Sequence, residues 1–124
     1  MPHIVILYTP DIEAETDMSA LCRSLAQAMQ TVKDETGARV FPTGGIRVLA
    51  YPAAHFAVSD GGAAGRAVGG DGDYGFAYLN LRMGRGRSEA VQQGVGRALM
   101  AVAKAHFDPL MTAMHLGVTL QVDV

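Results

Sequence analysis

The sequence predicts an α+β fold, with two βαβ units forming a four-stranded sheet and two helices covering one face. Three observations predict it. Apolar residues recur at helical spacing in two separate runs, and each run stands between short β-rich segments. Gly and Pro clusters mark the boundaries. The order strand, helix, strand then occurs twice, and a βαβ crossover makes its two strands parallel with the helix on a face. At 124 residues, one domain spanning 1–124 is expected.

The first strand is "HIVILY", residues 3–8. It lacks polar alternation, so burial on both faces is expected. Pro10 and Asp11 end it. Met18, Leu21, Cys22, Leu25, Met29 and Val32 then fall on one helical stripe. Thr16 or Asp17 can cap its start and Gly37 can end it. Pro42 and the Gly44–Gly45 pair turn the chain into a second strand, "IRVLAY", residues 46–51.

The next stretch is less regular. "HFAVS" is readable as a short edge strand, and residues 59–73 form a glycine-rich loop. Residues 74–83 read as a third strand. Tyr74, Phe76, Tyr78, Asn80 and Arg82 point one way, and Gly75, Ala77, Leu79, Leu81 and Met83 the other. Ser88 caps a second helix whose buried stripe is Val91, Val95, Ala98, Leu99 and Val102. Asp108–Pro109 resembles a cap and a first-turn proline, so a break or kink is expected there, with a further helical piece to about His115. "VTLQVDV", residues 118–124, alternates strictly and reads as the last strand.

With both helices on one face, the opposite face carries the apolar first strand and the aromatic side of the third. A lone copy would leave that surface wet, which points to self-association through it.

Composition excludes several classes. Formal net charge is −2, giving no general attraction to nucleic acid or anionic membrane. No stretch is long enough to cross a bilayer, and with no basic segment ahead of the first strand a signal peptide is not expected. Cys22 is the sole cysteine, which fits a reducing compartment, and a cytoplasmic location is expected. It sits on the apolar stripe, where an inert buried thiol is expected. The four histidines and this cysteine show no zinc-type spacing.

Pro2 has two readings. It either simply precedes a strand or, once Met1 is removed, becomes a secondary amine. Burial and nearby arginine charge would disfavour its protonated form. Such an amine can abstract a proton beside a carbonyl and return it to another carbon. Arg47, among apolar neighbours, either faces solvent or grips an anion with its guanidinium fork. Arg85 and Arg87 lie in a glycine-rich turn leading into a helix, a place that favours anions but is also commonly a solvated basic turn. "GRGRS" is no P-loop, and Glu89 replaces the third glycine of a dinucleotide fingerprint.

"MPH" at the start, "FPTGGIR" at 41–47, "DYGFAYLNLRMGRGRS" at 73–88 and "HFDPLM" at 106–111 together resemble the 5-carboxymethyl-2-hydroxymuconate Δ-isomerases of the tautomerase superfamily. The resemblance covers most of the chain outside the glycine-rich loop. It implies homotrimers, catalysis by the amino-terminal proline, here Pro2, and substrate carboxylates held by Arg47 and Arg87. His3 and Arg85 are possible helpers; His55, His106 and His115 receive no role. The implied reaction moves a proton in an unsaturated 2-hydroxy or 2-oxo di- or tricarboxylate. No metal or organic cofactor is expected, because the adjacent carbonyl already acidifies the proton.

Two further readings stand beside it. One is a hydratase- or dehalogenase-type relative in which protonated Pro2 acts as the acid. The other is a non-catalytic oligomer that binds small anions. The glycine-rich loop is longer than the family connection, and Arg66 within it either reaches a ligand or stands idle. The fourth strand is expected to run to the last residue, leaving no extension to wrap a neighbouring subunit.

Overall fold

The computed structural model describes residues 2–69 and 74–124. Four strands, β1 (His3–Tyr8), β2 (Arg47–Pro52), β3 (Tyr74–Arg82) and β4 (His115–Asp123), form one sheet in the order β2-β1-β3-β4. β1 runs parallel to β2, β3 runs parallel to β4, and the two halves meet antiparallel at β1 and β3. The chain therefore folds as two βαβ crossovers joined side by side.

The helices are α1 (Met18–Thr31), the five-residue α2 (Ala63–Ala67) and α3 (Glu89–Met111). Leu21, Leu25 and Met29 of α1 and Val91, Val95, Leu99, Ala103 and Phe107 of α3 are buried in one core. Ile4, Ile6 and Tyr8 of β1 and Ala77, Leu79 and Leu81 of β3 meet them there. The side chain of Asp17 caps α1 by accepting from the Ala20 N–H at 3.0 Å. Ser88 caps α3 by accepting from the Val91 N–H at 3.2 Å.

Several expectations need correction. β1 is not buried on both faces of this chain: Ile4, Ile6 and Tyr8 are buried, while Leu7 is 46% exposed. The exposed side of the sheet continues through Leu49, Tyr51 and Phe76, an open apolar surface opposite the helices.

α1 ends at Thr31, not at Gly37. Gly37, at φ +82°, instead turns a small loop closed by an antiparallel bridge between Lys33 and Arg39. The Asp34 carboxylate holds that loop by accepting from the N–H groups of Thr36 and Ala38. "HFAVS" is not a strand, and Ser59 there adopts φ +50°, outside extended geometry. Within the glycine-rich segment, α2 and turns occupy 59–69, and 70–73 lie outside the described residues.

α3 does not break at Asp108–Pro109; it continues as 23 residues to Met111. Pro109 removes one backbone donor, but Phe107 and Leu110 on either side are buried, so packing holds the last turn. The helix stops short of His115 because the N–H groups of Ala113 and Met114 both close on the Leu110 carbonyl at 3.0 Å. β4 consequently begins at His115 rather than Val118 and pairs with all of β3, from Tyr74↔His115 to Arg82↔Asp123.

Gly75 is closely packed against side chains on the helix-covered face of the sheet. A Cβ there would lie 2.6 Å from Ile12 Cγ2 and 2.8 Å from Met114 Cε. Glycine is what allows these side chains to pack onto the backbone.

Candidate active site

The sheet order places three chain segments at one edge. β1 begins there, beside the beginning of β2 and the end of β3, since His3 pairs with both Arg47 and Arg82. Pro2 is buried at this edge. Its carbonyl accepts the Arg47 N–H at 3.3 Å. Pro2 and Arg47, far apart in sequence, are thus direct neighbours.

Arg47 is exposed, and its Nη1 donates to the carbonyls of Gly44 and Ile46, each at 2.9 Å. The 3₁₀ turn Thr43–Gly45 presents those carbonyls, with the Gly45 N–H closing on the Pro42 carbonyl at 3.0 Å. The short glycine-rich connection therefore orients the arginine that follows it.

Arg87 lies in the turn after β3. Its Nη2 donates to the Val40 carbonyl at 2.6 Å and Nη1 to the Gly84 carbonyl at 3.3 Å. Its guanidinium carbon stands 5.8 Å from the centre of the Phe41 ring. Ser88, next in sequence, donates to Glu35 Oε1 at 2.6 Å. Arg87 and Ser88 together tie the start of α3 to the segment that leads through Phe41 to Arg47. Gly86 permits this turn at φ +104°. Arg85 occupies the same turn and is exposed.

His3 is half-buried on the open sheet face, between Arg47 and Arg82 in register. Arg82 has no assigned role in the sequence reading. Its signal was present in the alternation of the third strand, but only the sheet order shows that it flanks His3. Its Nε donates to Asn80 Oδ1 at 3.1 Å. Asn80 Nδ2 in turn donates to Asp123 Oδ2 at 2.7 Å, and Gln121 Nε2 to Asp123 Oδ1 at 3.0 Å. These two amides, with a smaller effect from the Arg82 charge, hold the Asp123 carboxyl below the usual carboxylate range.

The other candidates lie elsewhere. His106 on α3 meets Thr16 Oγ1 at 2.7 Å through Nε2, and His115 stacks edge-on against Tyr74. The half-buried Cys22 thiol is pushed up by burial, which suits an inert role. Arg66 is exposed and donates to the Gly61 carbonyl of its own loop at 3.0 Å. A groove of about 510 Å³ between α1 and β2 has Arg47 on its wall, and one of about 650 Å³ runs between α3 and β4. Pro2 lines neither. Among the described residues, no group of three or more His, Cys, Asp or Glu side chains is placed to hold a metal ion. No described helix is long and apolar enough to cross a membrane.

Comparison with known proteins is consistent along the whole chain. The family model of 5-carboxymethyl-2-hydroxymuconate isomerase matches residues 2–124. A 5-carboxymethyl-2-hydroxymuconate Delta-isomerase of Escherichia coli is 26% identical over 123 residues, covering 99% of this chain and 86% of that protein. A crystal structure of a 5-carboxymethyl-2-hydroxymuconate delta-isomerase is 59% identical, with TM-score 0.97 over 100% of this chain and 82% of the other. A 5-carboxymethyl-2-hydroxymuconate isomerase from Deinococcus radiodurans is 28% identical, with TM-score 0.78 over 98% of this chain and 80% of the other.

Proposed function

The chain belongs to the 5-carboxymethyl-2-hydroxymuconate isomerase family and is an isomerase; from that premise we propose that it ketonises a 5-carboxymethyl-2-hydroxymuconate-like dienol acid, with the Pro2 amine carrying the proton. The observation that carries this reading is the placement of buried Pro2 directly against Arg47, with the Arg87 turn at the same sheet edge.

After removal of Met1, the Pro2 nitrogen is a secondary amine. Its burial favours the neutral form, which accepts a proton. The amine takes the proton of the 2-hydroxyl group. The oxygen electron pair becomes the C2=O double bond, the conjugated double bonds shift along the chain, and a remote carbon receives a proton from the prolyl ammonium. The amine is neutral again at the end, so the cycle balances without cofactor or metal.

Arg47 and Arg87 hold carboxylates, and the charge that develops on the dienolate is stabilised by their guanidinium groups. Both already donate to backbone carbonyls, so binding substrate trades some of these bonds for charge-assisted ones. His3 and Arg85 add polarity around the same edge. The active unit is a homo-oligomer, a trimer by the family resemblance, assembled through the open sheet face bearing Leu7, Leu49, Tyr51 and Phe76.

The test is to follow 2-hydroxymuconate-type acids by ultraviolet absorbance and to identify the product by proton NMR in deuterated water. The expected product is the conjugated 2-oxo acid with deuterium at the remote carbon. Addition of water to the double bond instead would replace this reading with a hydratase.

A further inference from the structure

Three basic side chains stand in a row on the open face at the Pro2 edge. In register they are Arg47 on β2, His3 on β1 and Arg82 on β3. Residues paired in adjacent strands share a face, so the three project from the same side of the sheet. The proposed site uses only one of them to bind a carboxylate. Arg82 stands on the side of His3 opposite Arg47.

Arg82 is exposed, and it is oriented rather than loose. Among the described residues, its hydrogen bonding runs through Nε to Asn80 Oδ1, which leaves the Nη pair outside that bond. Asn80 is 8% exposed on a face that is otherwise open, so its amide is held firmly. Its Nδ2 is fixed by Asp123 Oδ2, and Asp123 is fixed again by Gln121. Tyr78 donates to Gln121 Oε1 at 3.0 Å and completes the chain of contacts. A run of polar side chains on an exposed sheet face ends in an arginine fork at the catalytic edge. Asp123 faces Arg82 from the β4 side and offsets part of its charge, but its carboxylate oxygens are taken up by Asn80 Nδ2 and Gln121 Nε2.

Resting on the proposed isomerase reading, we propose that Arg82 is a specificity-determining residue that grips the third carboxylate of a tricarboxylate substrate. Arg47 and Arg87 serve the two carboxylates that a dicarboxylate also has. Asn80 is a positioning residue that aims the Arg82 fork.

The experiment compares wild type, Arg82→Gln and Arg82→Lys on 5-carboxymethyl-2-hydroxymuconate and on 2-hydroxymuconate, which lacks the third carboxylate. In parallel, calorimetry measures binding of the unreactive saturated acids pentane-1,2,5-tricarboxylate and adipate. Arg82→Gln is expected to lose at least about tenfold in kcat/KM and affinity for the tricarboxylates, mostly through KM, and less than twofold for the dicarboxylates. Arg82→Lys keeps the charge without the fork and is expected to lose less than Arg82→Gln. Equal losses on both classes, or none on either, overturn the inference. Should wild type turn over neither substrate, the isomerase substrate reading fails, and the calorimetric pair alone decides whether Arg82 selects a third carboxylate. Should Arg82→Gln not fold, Arg82→Lys decides by the same comparison.

Discussion

The Arg47 main-chain N–H donates to the Pro2 carbonyl across 3.3 Å, joining the first residue of the proposed mature chain to the first residue of β2. The contact is backbone to backbone, so it does not depend on the arginine side chain. Removing the guanidinium should therefore disturb binding while leaving Pro2 in place. Arg47→Ala is expected to raise KM about tenfold or more, the scale of a lost charge-assisted hydrogen bond, with little change in Tm. Steady-state kinetics and a thermal melt check both halves.

Arg87 should behave differently, because its guanidinium also holds the Val40 carbonyl and lies beside buried Phe41. Arg87→Ala is expected to lose activity and also about 1–2 kcal/mol of stability, since a strong donor to that carbonyl disappears. Denaturant unfolding read beside the Arg47→Ala result separates the two arginines. Equal stability of both variants would contradict the structural half of the Arg87 assignment.

His106 predicts a pH dependence of stability. Its burial disfavours the imidazolium and holds its pKa below the ordinary value, with the Asp17 charge pulling weakly the other way. As pH falls, the unfolded chain therefore takes up this proton first. The contribution is complete above the ordinary histidine value of about 6.5 and is lost as pH drops through the folded value. Tm should fall between pH 7.5 and 5.5. His106→Gln, which can still bond Thr16, should flatten that slope.

Gly75 predicts a steric effect. A Cβ at this position would press on Ile12 Cγ2, a branched position with little freedom, as well as on flexible Met114. Gly75→Ala is expected to cost about 1–3 kcal/mol, as overpacking does. Chemical denaturation measures it, and an unchanged midpoint would show that Ile12 moves aside freely.

The open sheet face predicts an assembly effect. Leu7 sits between Tyr51 and Tyr78 in register and is 46% exposed in the single chain. Leu7→Asp is expected to convert the oligomer to monomer in sedimentation velocity while the far-ultraviolet dichroism stays native. Persistence of the oligomer would move the interface to another surface.

Much of this was legible in residue patterns. The α1 stripe and the two-sided alternation of β3 follow from periodicity, because one face of each element must be buried, and the Ser88 cap follows from the capping preference of serine. Pro109 misled, since the packing of Phe107 and Leu110 outweighs one missing donor, and packing is not visible in local propensity. β1 misled for a related reason. Its apolar odd positions face away from the core, and an unbroken apolar run cannot say which neighbour covers each side. At the site, Pro2, Arg47 and Arg87 carry recognisable motifs. Arg82 carries none, and its position beside His3 exists only because β1 lies between β2 and β3.

The most direct measurement of the central claim is kcat on 5-carboxymethyl-2-hydroxymuconate for three preparations whose N-termini are verified by intact mass. These are protein beginning at Pro2, protein retaining Met1, and Pro2→Ala. Proton transfer by a positioned group is worth about 10²–10⁴-fold. The account predicts losses of that order for retained Met1, where the nitrogen is an amide, and a clear loss for Pro2→Ala. Equal kcat in all three would contradict the prolyl amine as the proton carrier.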